Sequence, residues 1–144
     1  MKEKLFRGKT KFNEWIYWNE YGAMVDESGS PKAYNIDMIR IIYVDTARRF
    51  IIPETVGQYT GLTDKNGKKI FEGDIVKIDY KYIRYIEYSG ECSAFVKFRY
   101  IDKLTSEFSG YLGKGYDNYK QTIEIVGNIH DNPELLKGGE TNGK

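Results

Sequence analysis

Asp64, Asn66 and Gly67 invite a calcium-loop reading, with Asp64 and Asn66 at the spacing of its first two ligands. Such a loop continues with a further Asp or Asn and a glycine, and it closes on a glutamate. Here Lys68 and Lys69 follow instead, and no glutamate sits at the loop's end. The residues therefore read as a hairpin turn in which Asn66 and Gly67 both take positive φ. Glu72 and Asp74 straddle Gly73 and form a second candidate pair. Acid–base work by two carboxylates needs one pKa raised by burial, whereas the local sequence offers only the polar residues of a bend. Gly110 and Gly115 have the separation of a phosphate-binding loop, but Tyr116 and Asp117 stand where Lys and Ser or Thr are required. That stretch reads as a flexible hairpin end. Cys92 as nucleophile and His130 as general base would have to meet within hydrogen-bond reach. Cys92 opens an alternating strand, where a small buried hydrophobe fits, and His130 adjoins a closing helical turn.

One stretch combines binding chemistries: Tyr80-Lys81-Tyr82-Ile83-Arg84-Tyr85-Ile86-Glu87-Tyr88. Drawn as a strand, it sets Tyr80, Tyr82, Arg84 and Tyr88 on one face and Lys81, Ile83 and Tyr85 on the other. Aromatics interleaved with Lys and Arg can stack bases and neutralise phosphates, receive a proline-rich peptide or meet a second protomer. They also simply pack on neighbouring strands, and Asp79 and Glu87 dilute the positive charge. Tyr80, Lys81, Tyr82, Arg84 and Tyr85 are the candidate residues for a nucleic-acid or protein partner.

The composition bounds these readings. The chain has 144 residues, 40% hydrophobic and 30% charged, with a net charge of +1. A chain of this size buries roughly 68–70% of its unfolded surface and needs no staple. The near-zero charge speaks against a molecule-wide nucleic-acid field and leaves room for a local patch. One cysteine excludes an internal disulfide, and one Cys with one His cannot supply a four-ligand structural zinc site. No cofactor, metal or catalytic residue is expected. Residues 1–15 lack the apolar stretch of a secretory signal. Residues 39–44, the most apolar run, are interrupted by Arg40 and too short for a membrane span. The expectation is a cytoplasmic protein without a membrane segment.

These residues must be positioned by strands. Thirteen tyrosines suit half-buried sheet surfaces. Residues 4–10 and 14–21 read as two strands joined by a turn at 11–13, and 27–32 as a loop. Residues 34–50 fit either a helix or a buried strand, and a boundary falls near Pro53. Beyond it, 58–62 is extended, 63–68 turns, and Ile70 and Phe71 resume the strand. Residues 75–88 form one long strand or a hairpin. Residues 93–100 alternate, with Ala94, Val96 and Phe98 facing one way and Lys97 and Arg99 the other. Residues 122–129 repeat the pattern. A helical turn capped by Asp131 or Asn132, with Pro133 at its start, closes the ordered chain. Short strands at this spacing predict a small barrel.

Val56-Gly57-Gln58-Tyr59-Thr60-Gly61-Leu62, then Asp64-Lys65-Asn66-Gly67-Lys68-Lys69-Ile70-Phe71-Glu72-Gly73-Asp74-Ile75-Val76, resembles the signature of the YopX family of phage and prophage proteins. Ile125-Val126-Gly127-Asn128-Ile129 with Asn132-Pro133-Glu134-Leu135-Leu136 is similar to that family's C-terminal signature, and Lys4-Leu5-Phe6-Arg7-Gly8 resembles its first strand. The resemblance implies an SH3-like β-barrel behind a smaller N-terminal region, a host-cytoplasmic location, and no established activity or catalytic residues. The expected fold is mainly β. A strand-rich α+β region at 1–53 precedes an SH3-like barrel at 54–137 and a disordered tail at 138–144. The expected function is that of a non-enzymatic phage accessory protein, acting through a protein partner or as a homo-oligomer. A nucleic-acid-binding module is the alternative, and a small hydrolase using Cys92 or His130 a third.

Overall fold

The structure, a computed structural model, describes residues 4–30, 51–92, 94–102 and 105–138. The ambiguous stretch 34–50 and the tail beyond 138 lie outside the described residues. The protein is mainly β, with two antiparallel sheets. The chain divides between Gly61 and Leu62 into two compact units.

In the first unit β1 (Leu5–Lys9) lies between β2 (Trp15–Asn19) and the start of β4 (Gly57–Thr63), and β3 (Met24–Val25) pairs with the outer side of β2. Phe6 faces Trp18 across the β1–β2 ladder and stacks on it at 6.2 Å. A 3-10 turn, Pro53–Thr55, precedes β4. The Thr55 hydroxyl accepts from the Lys9 N–H at 2.8 Å and donates to the Ile52 carbonyl at 2.6 Å, which fixes that turn to β1.

β4 runs into the second unit, where its end leads through a turn to β5 (Lys69–Phe71). The main sheet is the meander β6 (Asp74–Ile78), β7 (Tyr82–Ser89), β8 (Ala94–Asp102) and β9 (Thr105–Tyr111), with β10 (Glu124–Asn128) returning beside β6. Residues 75–88 are thus a hairpin and not one strand. Val76, Ile78 and Ile86 share one face of this sheet and pack with Ile70, Leu112, Tyr119 and Ile123 as the core. Tyr119 belongs to a single helical turn, Tyr116–Tyr119, directly after the glycine stretch that reads by sequence as a flexible hairpin end. On the opposite face Ile75, Ile83 and Val96 are buried, and the closing 3-10 helix, Pro133–Gly138, packs on β7 and β8.

Among the described residues one local device turns the chain four times, at residues 10–14, 19–23, 26–30 and 64–68. In each, the first residue is Thr10, Asn19, Asp26 or Asp64, and its N–H donates to the carbonyl of the fifth at 2.8–3.0 Å. Its side-chain oxygen accepts from the backbone N–H groups of the third and fifth residues. The fourth residue (Asn13, Gly22, Gly29 or Gly67) takes positive φ and donates to the first carbonyl. This is a turn followed by one left-handed residue, in which the side chain stands in for a missing backbone acceptor. It corrects the two-residue turn expected at Asn66-Gly67: Gly67 has φ +83°, and Asn66 does not share the positive φ. The turn with two left-handed residues occurs instead at Asp79 and Tyr80, with φ of 52° and 63°, closed by the Lys81 N–H on the Ile78 carbonyl at 3.1 Å.

Candidate functional site

That turn separates the five residues singled out by sequence. Tyr80 is 65% exposed at its tip, with the Lys65 ammonium 5.3 Å from its ring. Lys81 closes the turn and lays its ammonium 4.8 Å from the Tyr82 ring. The strand begins only at Tyr82, so Tyr80 and Lys81 do not belong to its two faces, because the left-handed pair breaks the alternation. From Tyr82 onward the alternation holds. Tyr82 and Arg84 lie on the face of Val76 and Ile86, and Tyr85 lies on the other.

Arg84 is held in place. Its Nε donates to the Ser109 hydroxyl on β9 at 2.8 Å, one terminal N–H donates to the Ile83 carbonyl at 2.8 Å, and the guanidinium sits 5.4 Å from the Tyr82 ring. Two further cations join it from β8. The ladder sets Ile86 opposite Lys97 and Tyr85 opposite Phe98, so Arg84 lies on the side of β7 that Lys97 and Arg99 occupy on β8. Lys97 is half-buried with its ammonium 4.6 Å from the Tyr119 ring. Burial, and then the nearby charge of Arg84, push its pKa below that of an ordinary lysine, with Asp79 opposing them. Arg99 pairs with Glu107 at 3.6 Å, while its Nε is buried without a hydrogen-bond partner. Sequence alternation placed Lys97 and Arg99 on one side of β8. Only the β7–β8 register shows that Arg84 shares that side.

The other face carries an aromatic row. Tyr85 stacks on Phe98 at 5.6 Å, Phe98 meets Phe108 edge-on at 6.2 Å, and Phe108 meets Tyr111 at 5.9 Å. Phe108 and Tyr111 are 51% and 38% exposed on β9, the last strand of the sheet among the described residues. The Tyr85 hydroxyl donates to Ser106 at 2.8 Å.

The remaining candidates have structural roles in the fold. Asp64 is buried, and its carboxylate accepts from the turn and from Ile125. Asp74 is also buried, which sequence reasoning did not anticipate, and it accepts from the Phe71 N–H at 2.7 Å. Glu72 accepts from the Tyr88 N–H at 3.3 Å. Cys92 is half-buried, and its N–H donates to the Ser89 hydroxyl at 3.1 Å. Among the described residues no three His, Cys, Asp or Glu side chains gather where a metal ion could be held. No helix among them is long and apolar enough to cross a membrane.

The crystal structure of protein EF1440 from Enterococcus faecalis is similar to this chain at 20% identity, with a TM-score of 0.41, over 92% of this chain and 97% of that one. No curated protein matches the chain. The YopX family (YopX protein) matches residues 5–137, nearly the whole chain, and the protein belongs to that family.

Proposed function

We propose that the protein is a non-enzymatic phage or prophage accessory protein of the host cytoplasm that works by assembling with a second copy of itself along β9. The observation that carries this reading is the aromatic row that ends, exposed, on the sheet's last strand. Scattered exposed aromatics are ordinary, but a contiguous row on an edge is the composition of a protomer contact. The two outer strands are treated differently by the sequence. At β10 the Ile125 N–H donates to Asp64 at 3.1 Å and the Ile123 carbonyl accepts from Lys65 at 2.8 Å, so that side is covered. β9 carries no lysine or proline, the usual guards of an edge, and its one charge, Glu107, is spent on Arg99. The second unit is read as an SH3-like, partly open barrel, supported by bulges in β10 and between β8 and β9 that bend its strands while β9 stays an outer strand.

Size-exclusion chromatography with light scattering tests the reading. The protein should run heavier than one chain, and Phe108→Glu should return it to monomer mass with an unchanged circular dichroism spectrum. A monomer at every concentration, for the unmodified chain, overturns it.

A further inference from the structure

The opposite face of the same sheet holds Arg84, Lys97 and Arg99 at adjacent positions, and we infer that together they form a binding site for a phosphate group. Three observations converge. First, the cations are placed by backbone register and not by chance side-chain drift: Lys97 faces Ile86 across the ladder, and Arg84 and Arg99, each two residues from that pair, share its side of the sheet. Second, Arg84 is oriented by two hydrogen bonds, to the Ser109 hydroxyl and to the Ile83 carbonyl. A guanidinium fixed at its Nε does not reorganise when a ligand arrives. Third, the Arg99 Nε is buried and has no acceptor. Buried donors are nearly always satisfied, and an orphan among like charges calls for an anionic acceptor.

The charge on this face favours an anion, and the number of donors favours phosphate over a single carboxylate. The facing carboxylates are Glu107, ion-paired to Arg99, and Asp79, which accepts from the Thr122 hydroxyl at 2.8 Å. Three cations facing these two carboxylates leave an excess of positive charge that an anionic ligand neutralises. Like charges also oppose one another: after burial, the charge of Arg84 is the second cause that lowers the Lys97 pKa. An anion between them removes that opposition. Two guanidiniums, an ammonium and the neighbouring Ser109 hydroxyl match the donors that phosphate oxygens take. The phosphate could come from a free polyphosphate or from a nucleic-acid backbone, for which the Tyr82 ring beside Arg84 supplies an adjoining aromatic surface.

The test follows the Arg99 Nε–H resonance of the full chain by NMR during titration with pyrophosphate and, separately, with single-stranded oligothymidylate. Saturable movement of Arg99 Nε is expected, absent in a matched chloride titration. Arg99→Lys keeps the charge but loses the planar fork, and should weaken binding by about tenfold with unchanged thermal melting. Pyrophosphate binding at least as tight as oligothymidylate identifies a small phosphate compound. Tighter oligothymidylate binding that weakens steeply with salt identifies a nucleic-acid backbone. An Arg99 Nε unmoved by both overturns the inference. Phe108→Glu lies on the other face and should bind phosphate normally, which separates this site from the proposed assembly contact.

Discussion

The Asp64 carboxylate joins two segments 61 residues apart: Oδ1 closes its own turn on the Asn66 and Lys68 N–H groups, and Oδ2 accepts from the Ile125 N–H on β10 at 3.1 Å. The other three turns of this type use Thr10, Asn19 and Asp26, for which the same bonding stays within the loop. Asp64 and Thr10 are both buried, at 4% exposure, and Asp64 adds the bond to β10. The residue that resembles a calcium ligand by type is a carboxylate already filled with backbone donors.

Asp64→Ala should therefore destabilise the protein by about 2–3 kcal/mol, since it removes a buried carboxylate and leaves three part-buried N–H groups without their acceptor. Asp26→Ala removes the same local bonds at an exposed loop and should cost under about 1 kcal/mol. Urea unfolding of both variants checks the contrast. Equal losses would mean that the link to β10 contributes nothing.

Gly67 and Gly127 should respond differently to the same change. A methyl on Gly67 meets nothing within 4 Å, so Gly67→Ala is opposed only by its φ of +83° and should cost about 1 kcal/mol. Gly127 has no such φ, but an added Cβ would sit 2.5 Å from the Asn132 Oδ1, which accepts from the Asn128 N–H. Gly127→Ala must displace that cap and should cost about 1–3 kcal/mol. Thermal melts of the two variants give the order.

Much of this was legible in the residues. The hairpin after Thr63, the alternation of β8 and the closing turn at Pro133 follow from local patterns that tertiary packing does not alter. The turn type at Asn66 was not, because Asn-Gly fits both a two-residue turn and the end of a longer loop, and the choice rests on Asp64. The Asp79–Tyr80 turn carries no glycine, and its left-handed tyrosine is compensated by the bond between Asp79 and Thr122, 43 residues away. The cationic face was hidden for a related reason. Arg84 and Lys97 sit on different strands, and period-two alternation gives faces without register.

Glu87 should make stability fall with rising pH. Burial, and then the charge of Glu72, raise its pKa above the ordinary 4.5. A carboxyl whose folded-state pKa is raised contributes stability that is fully present below the unfolded value and lost as pH rises through the folded one. Glu87→Gln should therefore be more stable than the unmodified protein at neutral pH, by under about 1 kcal/mol once solvent screening is counted, and no more stable in acid. Denaturant midpoints at the two pH values decide it, and a gain that persists in acid would point to something other than ionisation.

Tyr119 sets the alkaline limit. Its hydroxyl donates to the Leu112 carbonyl, and burial, then the neighbouring Tyr116, push its pKa up to about 12 from 10.0. The shift is upward, so the associated stability is intact below 10.0 and disappears as pH climbs through about 12. The difference in ultraviolet titration between the unmodified protein and Tyr119→Phe isolates this one phenol among thirteen. The missing phenol should titrate near 12, and Tyr119→Phe should lose about 1 kcal/mol at neutral pH with the bond to Leu112. A phenol that ionises at the ordinary value would mean that the turn carrying Tyr119 does not close over the Ile86 core.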